Sequence, residues 1–425
     1  MLKSSLLAAM ENAALLAGKV LAILLFTWLS GAAAQGTFTL FLASYSVLTV
    51  AVLFGFDTGN NYFAARARKP VQRAALIGSS LILTLLVAPL SVGIILLLRH
   101  FTALLDPLSE TLIVILWVDL PVGLFGLLCG AILFGRDRFG IRLIGTALHN
   151  AIFVGGLVAS ATMGDLTVEA GLIWWSAGLI ACTVYWFSYV MRDAGRLPIF
   201  HLRFFTRQCR YGFRAYPYFV MNAANFRLDN FFISGYLGVT ALGVYSVAVA
   251  AVEVILYLPR SLANATLTHH AGDQARSVTM VLQPLSAISL ILFPMFLIAA
   301  PLAILIFFSE DFTQAAWISI LLLPGIFAMA IGVVGSYALF ARSENGAASA
   351  AAGYAVVLTV GLNILLVPLL GLPGAALATT LSYTAFCFIV LRKTAAIENT
   401  PLGQLVHPDW SAITRLTRRL SARAN

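Results

Sequence analysis

Apolar residues along this chain are gathered into blocks, and short polar stretches separate one block from the next. A helix of about 20 apolar residues crosses a hydrocarbon core of roughly 30 Å, whereas the strands of a membrane barrel alternate over about 10 residues. The blocks are long enough for helices and show no such alternation, so the pattern predicts repeated membrane-spanning helices. We place twelve spans, numbered 1 to 12, near residues 12–34, 37–62, 75–98, 111–134, 143–163, 170–191, 212–235, 241–264, 281–308, 313–341, 347–369 and 373–393.

Composition supports a membrane protein. The 425 residues are 60% hydrophobic and 10% charged, whereas a soluble domain is about 25% charged. The first apolar block is interrupted by Glu11 and Lys19 and is followed by many others, so we interpret it as an uncleaved first span. The four cysteines lie in or beside predicted spans without a metal-binding spacing, and we expect them to be packing residues without disulfides.

Basic residues are segregated to one side of the predicted membrane. The side that holds both chain ends carries 23 of the 26 Lys and Arg residues, the opposite loops carry Arg99, and Lys19 and Arg227 lie within spans. The positive-inside rule assigns the basic side to the cytoplasm, so we expect both termini there. Topology thus accounts for the net charge of +9. Basic residues at span ends, without interleaved aromatic residues, give no support to nucleic-acid binding.

A faint internal repeat relates two halves of the chain at an offset of about 207 residues. Gly36-Thr37-Phe38 begins span 2 as Gly243-Val244-Tyr245 begins span 8, and similar short segments end spans 4 and 10. Two halves with an even number of spans have the same orientation, and such transporters commonly bind substrate between the repeats. We expect an all-α membrane protein with a six-helix bundle at 1–191, a basic cytoplasmic interlobe loop at 192–211, a second six-helix bundle at 212–393 and a cytoplasmic tail at 394–425.

Span 7 carries the densest group of polar residues inside the predicted membrane. An ionisable group there is costly unless it lines a wet cavity or finds partners, so each is a candidate site residue. Asn222, Asn225 and Asp229 follow an i, i+3, i+7 spacing and share one face of a continuous helix, with Arg227 about 140° around from Asn222. Two interpretations remain open. The stripe faces a substrate cavity and Arg227 reaches an anionic substrate, or these residues form an internal network that holds span 7 to its neighbours.

Four further charged residues are candidates for the transport pathway. Glu253 in span 8 is either a proton-coupling carboxylate or a tethered structural acid. Asp119 in span 4 either stabilises a kink beside Pro121 or lines the pathway. Asp57 near the end of span 2 fits a polar helix terminus at the interface, and Lys19 in span 1 either snorkels to headgroups or lines the pathway.

The sequence gives no support to an enzyme. It has no glycine-rich phosphate-binding loop between a strand and a helix and no His-Glu-x-x-His zinc site. The longest far-side connection, near 99–110, is too short for an extracellular catalytic domain. We therefore expect no cofactor and no metal.

Several short motifs occur in an order that resembles a known family. Phe226-Arg227-Leu228-Asp229-Asn230 leads through Ser234 and Leu237-Gly238 to Gly243-Val244-Tyr245-Ser246, and a second segment runs from Leu362-Asn363 to Pro368 and on to Gly374-Ala375-Ala376. Gly36-Thr37-Phe38 and Gly55-Phe56-Asp57 also fit. In motif order and span number the chain resembles the polysaccharide (O-antigen and exopolysaccharide) flippase family of the multidrug/oligosaccharidyl-lipid/polysaccharide exporter (MOP) superfamily.

This resemblance implies two six-helix bundles around a V-shaped cleft in the bacterial inner membrane. It implies export of glycan units linked to undecaprenyl pyrophosphate, as in lipopolysaccharide or exopolysaccharide synthesis, driven by a gradient of H⁺ or Na⁺. It also implies membrane lipids, a polysaccharide polymerase and glycosyltransferases as partners. A cationic cleft would suit a pyrophosphate, which makes Arg227 and Lys19 candidate contacts. A cation-coupled multidrug or metabolite exporter of the same superfamily is the alternative, and a membrane scaffold without transport is a third hypothesis.

Overall fold

The computed structural model describes residues 2–101, 104–164, 166–257, 259 and 278–410, and these form helices and connections without a strand. The helices are α1 Leu2–Leu53, α2 Phe56–Arg66, α3 Pro70–Phe101, α4 Glu110–Gly135, α5 Phe139–Thr162, α6 Val168–Ala194, α7 Leu202–Phe213, α8 Tyr216–Asn225, α9 Leu228–Leu237, α10 Val239–Glu253, α11 Thr279–Phe307, α12 Thr313–Ala341, α13 Asn345–Leu370, α14 Leu372–Glu398 and α15 Leu402–Leu405. Short 3₁₀ turns lie at Val254–Leu256 and Glu310–Phe312.

In the described ranges, ten helices are long and apolar enough to cross a membrane. The sequence predicts twelve spans because α1 contains spans 1 and 2, joined at a kink where Gly31 has φ 76°, and because span 7 is divided between α8 and α9. A positive φ suits glycine, which has no Cβ to clash with the backbone. The prediction of an all-α protein with many membrane-spanning helices is confirmed.

Span 2 is also interrupted, contrary to the continuous helix that we predict over 37–62. The helix α1 ends at Leu53 and α2 begins at Phe56, because Phe54 (φ 50°) and Gly55 (φ 69°) both adopt the left-handed conformation. A Cβ at Gly55 would overlap the backbone carbonyl of Gly212. The break therefore lies where the chain approaches α7 most closely.

The connector after span 6 is more ordered than the loop that we predict at 192–211. Residues Leu202–Phe213 form the helix α7, which packs against α2. Its buried residues are Gln208 and Gly212, and its arginines point outward. The amphipathic pattern of Leu202–Phe213 is the sequence signal for this helix.

Two compact units divide the chain, Met1–Ser246 and Val247–Asn425. In the first unit, α4 packs against α2, α3 and α6, and α5 packs between α1 and α6. One apolar core forms around Cys129, Ile132 and Leu133, and a second around Leu124 and Leu128. The helix α4 therefore supplies the centre of this unit.

The second unit is arranged around α12. This helix packs against α11 and α14, and α13 packs against α14. Gly325 and Gly332 of α12 let α14 approach closely at Thr380 and Phe386. An ion pair between Arg342 and Glu398 joins the C-terminal ends of α12 and α14.

The residues that reveal the internal repeat touch each other in the first unit. A Cβ at Gly36 would overlap the carbonyl oxygen of Val239, and a Cβ at Gly243 would overlap that of Ala32. At the repeat offset, Ala32 corresponds to Val239 and Gly36 to Gly243, so the contact between α1 and α10 is reciprocal. A reciprocal contact is the arrangement expected at a two-fold axis between similar elements.

Candidate functional site

A helix break occupies the centre of span 7. The helix α8 ends at Asn225 and α9 begins at Leu228, with Phe226 and Arg227 between them. Arg227 has φ −132° and ψ −14° and directly precedes α9. The prediction that Asn222, Asn225 and Asp229 share one face of a continuous helix is therefore wrong, because the rotation of 100° per residue does not continue through the break.

Asp229 is a buried anchor in the first turn of α9. One carboxylate oxygen accepts a hydrogen bond from the backbone N–H of Asn230 at 2.9 Å, and the other accepts one from the Tyr245 hydroxyl at 2.9 Å. Asp229 is 4% exposed, and Tyr245 is fully buried on α10. These contacts hold the start of α9 against α10. They also explain why the Leu-Asp and Gly-x-Tyr motifs occur together.

The two asparagines lie on α8, before the break. Asn225 is buried, whereas Asn222 is half-buried and its backbone carbonyl accepts the Phe226 N–H at 3.1 Å. The Asn222 side-chain oxygen is enclosed and has no hydrogen-bond donor within the described part of the chain. An enclosed oxygen of this kind is costly unless a ligand or water supplies the donor.

The geometry of the break suits an anion that carries hydroxyl groups. The N-terminal end of α9 carries the positive end of a helix dipole, and one of its backbone N–H groups, that of Asn230, donates to Asp229. Arg227, the residue directly before α9, is half-buried, and guanidinium groups bind phosphate oxygens with paired hydrogen bonds. Asn222 adds an oxygen that a sugar hydroxyl can satisfy. Asp229 turns its carboxylate towards Tyr245 and Asn230.

The remaining predicted residues lie on other elements. Lys19 is half-buried on α1, next to Gly18, which packs against the side chain of Asn150 on α5. Asp57 is half-buried in the first turn of α2, where a carboxylate complements the helix dipole. Glu253 is half-buried at the C-terminal end of α10, in the second unit. The site roles of all three residues remain predictions.

Asp119 is fully buried within the first unit. One carboxylate oxygen accepts a hydrogen bond from the Ser176 hydroxyl on α6 at 2.7 Å, and the other is enclosed without a partner in the described ranges. Pro121 lies two residues later within α4. Asp119 therefore links α4 to α6, and its pathway role remains a prediction.

Sequence reasoning missed a buried polar network beside α7. The Gln208 amide, fully buried, donates to the Asn60 side-chain oxygen at 2.8 Å. The Asn60 amide in turn donates to the Ser80 hydroxyl at 2.8 Å and to the Leu128 carbonyl at 3.3 Å. The network joins α7 to α2, α3 and α4. Its members are far apart in sequence, so no local pattern indicates the pairing.

Part of the chain matches a known protein family. Residues 139–317, which include the helix break, match a family model described as "Polysaccharide biosynthesis protein". A search of curated proteins finds no match.

Solved structures share the fold along nearly the whole chain. A multidrug resistance MATE family transporter of the MOP superfamily, in an inward-facing conformation, has a TM-score of 0.72 and 13% identity over 90% of this chain and 94% of its own. The lipid II flippase MurJ has a TM-score of 0.65 and 15% identity over 96% of this chain and 89% of its own. A MOP superfamily transporter from Pyrococcus furiosus has a TM-score of 0.61 and 13% identity over 94% of this chain and 95% of its own.

These neighbours are transporters and a flippase, and none is named as an enzyme. The family-model match over residues 139–317 and the fold shared with these neighbours support the resemblance that the sequence motifs indicate.

Proposed function

We propose that this chain flips or exports lipid-linked oligosaccharide units across the bacterial inner membrane by alternating access. The observation that carries the proposal is the break between α8 and α9, where Arg227 lies at the N-terminal end of a half-helix. This break falls inside the segment that matches the polysaccharide biosynthesis family. Discontinuous helices with a half-helix N-terminus at an anionic group are a recurring form of substrate site in transporters.

The chemistry of the break favours a pyrophosphate attached to a sugar. Arg227 and the N–H groups of α9 supply positive charge for the pyrophosphate oxygens, and the enclosed oxygen of Asn222 accepts a hydrogen bond from a sugar hydroxyl. Asp229 holds the break in place through Tyr245. Glu253 is the carboxylate that we assign to coupling with a gradient of H⁺ or Na⁺.

A cation-coupled multidrug or metabolite exporter is the second candidate, because the MATE transporter shares the fold with a TM-score of 0.72. The two functions require opposite charge at the site. A positively charged drug is repelled by a guanidinium in a low-dielectric setting, whereas a pyrophosphate is attracted to it. Arg227 at the helix break therefore favours the glycan hypothesis.

The test measures translocation of a fluorescent prenyl-pyrophosphate sugar by the purified full chain in liposomes. We expect Arg227→Gln to lower the initial rate about tenfold or more, because the charge-assisted contacts to phosphate are lost. Arg227→Lys should retain part of the rate as a point charge. Arg192→Gln is the matched control, since Arg192 is an exposed arginine outside span 7.

Three results would contradict the proposal. One is a wild-type rate for Arg227→Gln at equal protein level. Another is equal loss in Arg192→Gln. The last is wild-type protein that leaves the labelled lipid in place but exports an organic cation against a pH gradient, which would establish the multidrug alternative.

A further inference from the structure

A basic cavity lies beside α7, away from the helix break. Its volume is about 430 Å³, and its charged lining consists of Arg66 from α2, Arg203 and Arg207 from α7, and His201 just before α7. Phe63 and Phe204 form an apolar wall, with ring centroids 5.4 Å apart. No acidic residue lines the cavity among the described residues.

Its arginines differ in their partners from four other arginines on the same side of the first unit. Arg73, Arg136 and Arg138 surround the single carboxylate of Asp193 at 3.3–3.9 Å, and Arg142 pairs with Glu11 at 2.8 Å. The guanidinium groups of Arg203 and Arg207 form no ion pair within the described ranges. Three exposed arginines and a histidine therefore face a shared space in which the described residues place no carboxylate.

Packing and hydrogen bonds fix the two helices that carry the lining arginines, α2 and α7. Gln208 of α7 lies in the buried hydrogen-bond network with Asn60, and Gly212 lies so close to Gly55 that a Cβ on either would overlap the other backbone. The Arg66 guanidinium stacks 3.7 Å above the Tyr62 ring, and that ring stacks 4.1 Å from Tyr211 on α7. The backbone of α7 and the Arg66 guanidinium are therefore preorganised, which lowers the cost of binding a ligand.

The surroundings of the cavity point to the membrane interface. Leu197 is 79% exposed and Leu202 is 65% exposed, and Phe200 and Phe213 are also exposed at the ends of the same segment. Arginines combined with exposed leucine and phenylalanine are typical of helices that lie in the headgroup region. A soluble phosphate has no apolar part that could contact these exposed side chains, whereas a lipid has acyl chains that can.

We infer that this cavity binds the phosphate of an anionic glycerophospholipid, with the acyl chains against the exposed apolar residues of the α7 segment. The arginines contact the phosphodiester oxygens, and the aromatic wall packs against the glycerol and the first methylenes. The sequence predicts this end of the spans to be cytoplasmic, where anionic lipids attract basic clusters. The inference does not depend on which substrate passes through the transporter.

The test is native mass spectrometry of the full chain in micelles that contain equal amounts of phosphatidylglycerol and phosphatidylcholine of distinct masses. We expect the wild type to retain phosphatidylglycerol about tenfold over phosphatidylcholine. The variant Arg66→Gln/Arg203→Gln/Arg207→Gln should lose this preference. The control Arg192→Gln/Arg196→Gln/Arg210→Gln removes three exposed arginines outside the cavity lining and should keep it.

Further arms identify the source of the phosphate and guard against misfolding. The variant Arg66→Lys/Arg203→Lys/Arg207→Lys keeps the charge and should retain phosphatidylglycerol within about threefold of wild type. Glycerol 3-phosphate in solution should fail to displace the lipid. Farnesyl diphosphate, at the same micellar concentration, should compete no better than phosphatidylglycerol itself.

Each opposite result would overturn the inference. If the cavity and control variants lose the phosphatidylglycerol preference equally, then overall charge causes it and not the cavity. If the cavity variant keeps the preference, then the lipid binds elsewhere. Displacement by glycerol 3-phosphate would identify a soluble phosphate as the ligand. A strong preference for farnesyl diphosphate would make the cavity a contact for the carrier lipid.

Discussion

Two buried carboxylates show how the same residue type serves different purposes. Asp229 accepts hydrogen bonds at both oxygens and holds α9 against α10. Asp119 accepts one bond from Ser176, and its second oxygen is enclosed without a described partner. A buried carboxylate with one donor and no described cation is costly in its charged form. Asp119 therefore depends on Ser176 far more than Asp229 depends on any single donor.

Substitutions at Asp119 and Ser176 test this dependence. We expect Asp119→Asn to leave the thermal stability of the full chain unchanged or raised, because the amide oxygen still accepts from Ser176 and the buried charge is gone. Ser176→Ala should lower the free energy of unfolding by about 1–3 kcal/mol, because it removes the donor and leaves the carboxyl group unsatisfied. Thermal unfolding in detergent measures both effects.

The control is Ser188→Ala in the same helix, since Ser188 is exposed and donates to the carbonyl of Tyr185 on its own helix. Its unfolding temperature should match that of the wild type. If Asp119→Asn proves as destabilising as Ser176→Ala, then the ionised carboxylate itself has a stabilising partner, and the argument from burial is wrong.

At the scale of elements, the reciprocal contact between α1 and α10 explains why the repeat is visible at Gly36 and Gly243. Each glycine lies against a carbonyl oxygen of the other helix, at Val239 and Ala32. Close backbone approach through small residues is a general way to join membrane helices, because apolar side chains gain little by leaving lipid. The two positions are therefore restricted by the same contact.

This contact gives the second prediction. Gly36→Ala and Gly243→Ala should each destabilise the full chain, by about 1–3 kcal/mol, because the added methyl group forces the helices apart. The two costs should be similar, and the double variant should cost less than their sum, since the first substitution already separates the helices. Thermal unfolding in detergent is again the measurement.

Gly361→Ala on α13 is the matched control, because a Cβ there meets no atom within 4 Å. It should be neutral or slightly stabilising, as expected when glycine is replaced by alanine inside a helix. Tolerance of Gly36→Ala combined with intolerance of Gly243→Ala would show that the contact is not reciprocal.

The sequence predicts the helices well and their interruptions poorly. Apolar blocks predict the bounds of α12 at 313–341 and of α13 and α14 within a few residues, because burial in lipid imposes a length on each helix. The boundary between spans 1 and 2 is predicted close to the kink at Gly31, but the break at Phe226-Arg227 has no such signal. Neither glycine nor proline lies between α8 and α9, so the helical spacing of Asn222 and Asp229 predicts a continuous face that does not exist.

For the candidate site, the sequence identifies the polar residues but not the partners that hold them. Intramembrane polarity identifies Arg227, Asn222 and Asp229 as a group, and the structure gathers them at the break. The partner that fixes Asp229 is Tyr245, sixteen residues away on another helix. Tertiary packing determines such a pairing, and single-sequence periodicity carries no information about it.

Across the whole molecule, ion pairing increases the difference in charge between the two predicted sides of the membrane. The lone arginine in the far-side loops, Arg99, forms a bidentate pair with Glu110 at 2.6 and 2.8 Å. On the opposite side, three arginines share Asp193, and no ion pair to Arg203 or Arg207 of α7 occurs within the described ranges. The far side thus has its one basic residue neutralised, while the basic side keeps a large excess.

This asymmetry predicts the orientation of the chain in its membrane. Single cysteines replacing Asp106 and Arg196, both exposed, report on the two sides. Cys209 is half-buried and is changed to Ser as background, whereas Cys129, Cys182 and Cys387 are buried and should not react. In intact spheroplasts, a membrane-impermeant maleimide should label the cysteine at position 106 and not that at 196, because the basic side stays in the cytoplasm.

Permeabilised spheroplasts are the control, and both positions should then be labelled to the same extent. Labelling of position 196 alone in intact cells would reverse the orientation, and the cavity beside α7 would then face away from the cytoplasmic leaflet. Labelling of both positions in intact cells would contradict the parity of the spans between them. Since α3 ends near position 101 and α4, α5 and α6 follow before position 196, an odd number of crossings must separate the two residues.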